Sequence, residues 1–302
     1  MDRVWGGREL ERVYGRSLPD ATTPIGESWE IVDRDPEQSV VKDGPYAGKT
    51  LHELWTRHRE EIFGAGLPDS ERFPILIKIL DAREDLSIQV HPPVDKADEL
   101  GGEPKTEMWV IADADPGAKL YVGLKNGVTR ADFERAIADG TVEQAVHAVS
   151  PQPGESIFIA SGRLHAIGGG LLIHEIQQNS DTTYRVFDWN RVGLNGKPRQ
   201  LHVEQSLASI DFQDFEPGMD VPQGDVLAAC PYFKTNRRAL ADGASLANPD
   251  AGRFTLVGVV AGALKSADGR TFVKGDYLLL PAGAAPLTAA GETTALQIEL
   301  PA

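Results

Sequence analysis

Gln89 and His91 stand two residues apart in the run Leu86-Ser87-Ile88-Gln89-Val90-His91, which Pro92 and Pro93 close. A strand sends alternate side chains to opposite faces, so Ser87, Gln89 and His91 leave the same one. Lys105 and Glu107 form a second i,i+2 pair at the head of the apolar run Glu107-Met108-Trp109-Val110-Ile111-Ala112. His165 ends a turn that follows Ser156-Ile157-Phe158-Ile159. Gln89, His91, Glu107 and His165 together offer one amide oxygen, two imidazoles and one carboxylate, a plausible ligand set for a divalent metal. Nitrogen and oxygen donors without thiolate suit zinc and leave Mn, Fe and Co open. Spacing alone also allows four unrelated polar groups on separate strands.

A second cluster lies downstream. Glu175 sits in the strand-like run Leu171-Leu172-Ile173-His174-Glu175-Ile176. Alternation sets it opposite His174, on the face of Leu171, Ile173 and Gln177. A carboxylate on such a face is costly unless it is paired or next to a metal. Arg185 and Arg191 supply fixed positive charge nearby, and a salt-bridged loop is the competing reading. His52, His58 and His147 read as packing or surface residues. Gly168-Gly169-Gly170 precedes a strand and lacks the Lys-Ser/Thr of a nucleotide loop, so a hairpin turn is expected there. Ser161, His165 and Asp181 have no nucleophile-elbow motif to support a hydrolase triad.

Elements must hold these groups in place. Short apolar runs at 75–80, 86–91, 107–112, 119–124, 156–159 and 171–176, bounded by Gly, Pro and Asp, predict a sandwich or barrel of strands. No regular alternation of strands with long helices occurs, which disfavours Rossmann and TIM arrangements. Leu51, Leu54, Trp55, His58 and Ile62 recur at helical spacing, and Gly64 and Gly66 would end that helix. Thr129 caps a second helical stretch, with Asp132 three residues on. It is expected to run to Asp139, with another helix from Thr141 to His147.

The chain has 302 residues, a length that favours two domains. Gly154 to His165 can be laid over Gly275 to Pro286 as turn glycine, acid, four-residue strand and a second turn at glycine. Only the first copy ends in a metal-competent side chain. The expected boundaries are 1–220, with a helical insert at 129–149, and 221–302. The formal charge of −15, with no stretch dense in Lys or Arg, argues against nucleic-acid or anionic-membrane partners. Cys230 is the single cysteine, which excludes an intrachain disulfide and a thiolate-rich zinc site. No apolar signal segment and no 18-residue apolar run is found, so a soluble cytoplasmic protein is expected.

Taken together, Trp5-Gly6-Gly7, Gly26-Glu27-Ser28-Trp29-Glu30, Ser87-Ile88-Gln89-Val90-His91-Pro92, Lys105-Thr106-Glu107-Met108-Trp109, Gly162-Arg163-Leu164-His165 and Asn179-Ser180-Asp181-Thr182-Thr183-Tyr184-Arg185 resemble type I mannose-6-phosphate isomerases, most of all the short bacterial branch. The resemblance implies a mainly β fold of two cupin (jelly-roll) β-barrels, with a small helical insertion and an N-terminal helical segment. It implies a zinc enzyme, one Zn2+ per chain, that interconverts mannose 6-phosphate and fructose 6-phosphate. Gln89, His91, Glu107 and His165 fall on the family's metal ligands. Arg185 falls on its catalytic arginine and Glu175 on an active-site acid. Ser87, Lys105 and Arg191 fall on positions associated with the substrate phosphate, although longer members often carry lysine where Arg191 stands. The expected partner is a small sugar phosphate, and the expected state is a monomer or weak homodimer. A non-catalytic sugar-phosphate-binding cupin, or a cupin metalloenzyme acting on another sugar phosphate, is the alternative.

Overall fold

The computed structural model describes residues 1–301. The chain divides into two compact units, Met1–Ser28 with Lys78–Asp220, and Trp29–Ile77 with the chain from Val221 onward. The first unit draws on β1 (Asp2–Gly7), β2 (Glu27–Ile31), β3 (Ile75–Ala82), β4 (Ile88–Val90), β5 (Glu107–Ala114), β6 (Leu120–Leu124), β7 (Val146–Val149), β8 (Ser156–Ile159), β9 (His165–Ile167), β10 (Leu171–Gln178) and β11 (Tyr184–Phe187). The divisions fall inside β2 and β3. One sheet runs β1-β3-β10-β5-β8, with β2 also on β3, and a second runs β11-β4-β9-β6-β7.

The inner faces of these two sheets meet over one core. Leu80, Trp109, Ile111, Ile157, Ile159, Leu171 and Ile173 come from the first sheet, and Leu120, Val122 and Ile167 from the second. Alternation sends the other residues of the second sheet outward. Ile88, Val90, Tyr121, Ala166, Tyr184 and Val186 form a separate core with Phe133. Phe133 belongs to α5 (Arg130–Asp139), and Leu207, from α6 (Val203–Ser209), packs against the same core. Ile88 and Val90 thus face the helices while Gln89, between them, faces the inner space. That parity decides where the chemistry sits.

The smaller helices are α1 (Glu9–Tyr14), α2 (Leu51–Arg57), α3 (Arg59–Phe63) and α4 (Val94–Ala97). The single helix expected over 51–63 is two, parted at His58, whose φ and ψ of −129° and 29° are not helical. At 129, Thr129 and Asp132 make a full capping box, and Gly140 ends α5 in the left-handed region. The helix expected after it is a short 3-10 turn, Val142–Ala145, and β7 takes up Val146 onward. The β-branched Val146 and Val149 suit a strand better than a helix.

The second unit contains β12 (Val226–Ala229), β13 (Lys234–Leu240), β14 (Ser245–Leu246), β15 (Thr255–Ala261), β16 (Ala263–Lys265), β17 (Thr271–Val273), β18 (Tyr277–Leu280), β19 (Leu287–Ala289) and β20 (Thr293–Glu299). Its sheets run β12-β13-β20-β15-β18 and β14-β19-β16-β17. These orders repeat those of the first unit apart from β2 and β11, which have no counterpart, and β8 and β9 are matched by β18 and β19. The sequence repeat is this duplication. Gly162 and Gly283 both hold φ in the left-handed region, at 90° and 69°, at the same turn. The copies differ in donors: Thr255 pairs with Leu280 where Glu107 pairs with Ile159, and Pro286 replaces His165.

Two further expectations are overturned. No sheet closes into a cupin jelly-roll barrel: among the described residues the fold is mixed α/β with four open sheets, whose end strands do not pair with one another. Strand alternation specifies which face is buried and is silent on whether the edges meet, so the short-strand pattern did not distinguish the two. Gly168-Gly169-Gly170 is not a hairpin either. It leads from β9 in one sheet to β10 in the other, and the two strands are unpaired.

Candidate active site

The register of the second sheet sets Arg185, Gln89 and His165 side by side, on three successive strands. In the first sheet Glu107 lies between Gln177 and Ile159, and Trp109 between Glu175 and Ile157. Since all of these point into the space between the sheets, residues far apart in sequence converge there.

His91, Glu107 and His165 form the deepest cluster. Each is 1% exposed, and ligand atoms of the three lie within 4.8 Å of one another. Each Glu107 oxygen faces one imidazole, Oε2 to His91 Nε2 and Oε1 to His165 Nε2, both at 3.6 Å. The opposite ring nitrogens are engaged: His91 Nδ1 lies 2.8 Å from the Thr182 carbonyl and His165 Nδ1 2.9 Å from that of Arg163. A carbonyl only accepts, so both protons sit on Nδ1 and both Nε2 atoms present lone pairs. His91 Nε2 and Glu107 Oε1 are buried without a hydrogen-bond partner, and Glu107 Oε2 meets only the Lys105 ammonium. Such atoms are expensive in a folded core unless a cation satisfies them. Burial, with Lys105 beside it, pushes the His91 imidazole down to about 3, and burial lowers His165 as well, so both rings stay neutral, the form a metal ion requires. Burial on its own would raise Glu107, but Lys105 and the imidazoles more than offset it and hold the carboxyl well below its usual range. The donor set fits a divalent metal ion.

Gln89 flanks this cluster, with Nε2 3.4 Å from His165 Nε2 and Oε1 accepting from Ser87 Oγ at 3.1 Å. Ser87 Oγ also accepts from Arg185 Nε at 3.2 Å. Lys105 Nζ lies 2.8 Å from Glu107 Oε2 and 3.7 Å from Glu175 Oε1. Burial alone would lower this lysine, but the two carboxylates hold it above its ordinary value. Glu175 accepts from Trp109 Nε1 at 3.2 Å through Oε2 and leaves Oε1 without a hydrogen bond. Burial and then Glu107 push Glu175 up, against the pull of Lys105 and Lys78.

Ser87, Gln89, Lys105, Glu175 and Arg185 line a cavity of about 580 Å³. Arg191 does not. It lines a separate cavity with Arg83, Glu84 and Trp189, held by Asp188 at 3.0 Å. Trp189 and Asn190 are both left-handed at φ 55°, which turns the chain after β11 and redirects Arg191. Arg199 occupies the first cavity instead, donating through Nε to Asp188 at 2.7 Å. Sequence reasoning missed Arg199, which no local pattern marks. It also missed Lys78, buried on the inner face of β3 and 3.7 Å from Glu175 Oε1. A lone lysine inside Ile75-Leu76-Ile77-Lys78-Ile79-Leu80 was a usable signal, because an unpaired ammonium is seldom buried in an apolar strand.

Comparison with known proteins agrees with this geometry. The family profile for phosphomannose isomerase type I, catalytic domain, matches residues 1–104. Mannose-6-phosphate isomerase ManA of Bacillus subtilis is 37% identical over 294 residues, covering 93% of this chain and 90% of its own. A mannose-6-phosphate isomerase of Streptococcus mutans is 37% identical over 92% of this chain and 89% of its own. The crystal structure of the mannose 6-phosphate isomerase from Bacillus subtilis superposes with a TM-score of 0.87 at 33% identity, covering 99% of this chain and 96% of that one. The chain belongs to the type I phosphomannose isomerase family.

Proposed function

We propose that this chain interconverts mannose 6-phosphate and fructose 6-phosphate, with one zinc ion per chain held by Gln89, His91, Glu107 and His165. The observation that carries the reading is the convergence of buried, unpartnered donor atoms on His91 and Glu107 beside a cavity that also presents Glu175, Arg185 and Lys105. A divalent ion bound there supplies Lewis-acid stabilisation to the substrate's oxygens.

The chain's own groups do the rest. Aldose–ketose isomerisation moves one proton between C2 and C1 through a cis-enediol. Glu175 Oε1 takes that proton from one carbon and returns it to the other. Trp109 fixes the carboxylate through Oε2, and burial raises its proton affinity toward what a general base needs. Arg185, next to Gln89 in the ladder, holds the negative charge that develops on the oxygens near C1 and C2. The phosphate lies toward Ser87 and Arg199. Lys105 keeps the interior end positive, and Arg191 contributes through Asp188, which it shares with Arg199. The second unit, with Thr255 and Pro286 in place of Glu107 and His165, is non-catalytic in this reading. Among the described residues no helix is long and apolar enough to cross a membrane.

Turnover of fructose 6-phosphate, followed with metal content on the same sample, tests the proposal. Activity lost to a chelator and restored by zinc supports it. No turnover by folded, zinc-loaded protein overturns it.

A further inference from the structure

Ser87 has one hydroxyl proton, and the structure shows where it goes. Ser87 Oγ donates to Gln89 Oε1 at 3.1 Å while accepting from Arg185 Nε at 3.2 Å. The Gln89 amide is set by its other end. His165 carries its proton on Nδ1, toward the Arg163 carbonyl at 2.9 Å, so its Nε2 is a lone pair. Gln89 Nε2 lies 3.4 Å from that lone pair and donates to it. The chain Ser87 → Gln89 → His165 therefore runs in one direction, with every donor facing an acceptor.

A cation on the His165 Nε2 lone pair reverses that direction. It repels the Gln89 NH2 and attracts the amide oxygen. Turning the amide end for end brings Nε2 toward Ser87. Ser87 Oγ then faces two donors, Gln89 Nε2 and Arg185 Nε, and can no longer donate to Gln89. Its proton is released for a third partner, and Ser87 lines the cavity beside Arg185 and Arg199. An anionic oxygen is the partner that such a freed donor, flanked by guanidinium groups, recognises best.

We infer that the Gln89 amide couples the metal centre to the anion end of the cavity: metal binding turns the amide and switches Ser87 from serving Gln89 to donating to a sugar phosphate. The inference rests on the metal and phosphate roles proposed above. It adds that the two sites are linked, so that metal loading and sugar phosphate binding strengthen each other.

The test is calorimetric binding of a hexitol 6-phosphate, which has no carbonyl to isomerise, to metal-free and zinc-loaded protein. Ser87→Ala removes the donor. The loss should be about tenfold or more in the zinc-loaded protein, the range of a hydrogen bond to a charged group, and under about twofold in the metal-free protein. Gln89→Glu keeps an oxygen for the metal and has no N–H to turn toward Ser87. In that background Ser87→Ala should cost little in either state. Equal losses in both metal states of the otherwise native protein overturn the coupling, as does no loss in either. Failure of the isomerase reading itself is seen separately, as absent turnover of fructose 6-phosphate by the zinc-loaded native protein.

Discussion

Lys105 Nζ lies 2.8 Å from Glu107 Oε2, and both side chains are buried. The ammonium compensates a carboxylate whose other neighbours are two neutral imidazoles. Breaking a buried ion pair from one side strands the remaining charge, at a cost of about 3–5 kcal/mol. Lys105→Met should therefore lower the melting temperature of chelated protein sharply. A zinc ion held as proposed would give Glu107 a second positive partner, so the same substitution should cost less in zinc-loaded protein. Melts with and without chelator measure the difference, and equal losses would show that Glu107 does not face the metal.

Glu175 accepts from Trp109 with one oxygen and leaves the other to the cavity. Glu175→Gln keeps the shape and the Trp109 hydrogen bond but removes the proposed base. The expected outcome is a fall in kcat of about 10²–10⁴-fold with zinc content unchanged. Exchange of the substrate C2 hydrogen with solvent should fall with it. Native-rate exchange would assign the proton transfer to another group.

The donors were legible because a period of two fixes which residues share a face. Ser87, Gln89 and His91 needed only that rule, and so did Lys105 with Glu107. What brings them together is register: His165 meets Gln89 because β9 pairs with β4, and Arg185 does because β11 pairs with β4. Register between distant strands has no local signature, so the ligand set stayed one of several readings until the family likeness joined it. Arg191 marks the other limit. Two left-handed non-glycine residues before it break the strand alternation; Asn190 tolerates that conformation, but Trp189 does not announce it. The open sheets were misread for a related reason, since closure depends on pairing of the edge strands.

Asp81 ties α1 to the first sheet. Its Oδ2 accepts from the Glu9 backbone N–H at 2.6 Å, and burial pushes its carboxyl up to about 6 from an ordinary 3.8. Between those values the folded chain holds a proton that the unfolded chain has released. This contribution to stability is complete below the ordinary value and drains away as pH rises through about 6. Asp81→Asn retains an acceptor for Glu9 and cannot titrate. Relative to that variant, the native protein should lose stability between about pH 4 and pH 6.5, as read by urea unfolding at each pH. A constant difference across the window would show that Asp81 titrates alike folded and unfolded.

Arg199 and Arg191 grip the same carboxylate from two cavities. Asp188 is 6% exposed and accepts from both. Removing either guanidinium leaves Asp188 with the other, so the structural loss is similar in the two variants and cancels when they are compared. What differs is the cavity each arginine lines, since only Arg199 stands in the one with Ser87, Lys105 and Glu175. A hydrogen bond to a charged group is worth about 1.5–3 kcal/mol, so Arg199→Ala should raise KM for fructose 6-phosphate by about tenfold or more. Arg191→Ala should change KM by less than about threefold, because it makes no direct contact to lose. Steady-state kinetics on the two variants decides between them. The reverse order would place the phosphate in the cavity of Arg83 and Trp189, and the direction of the substrate relative to the metal ligands would have to be redrawn.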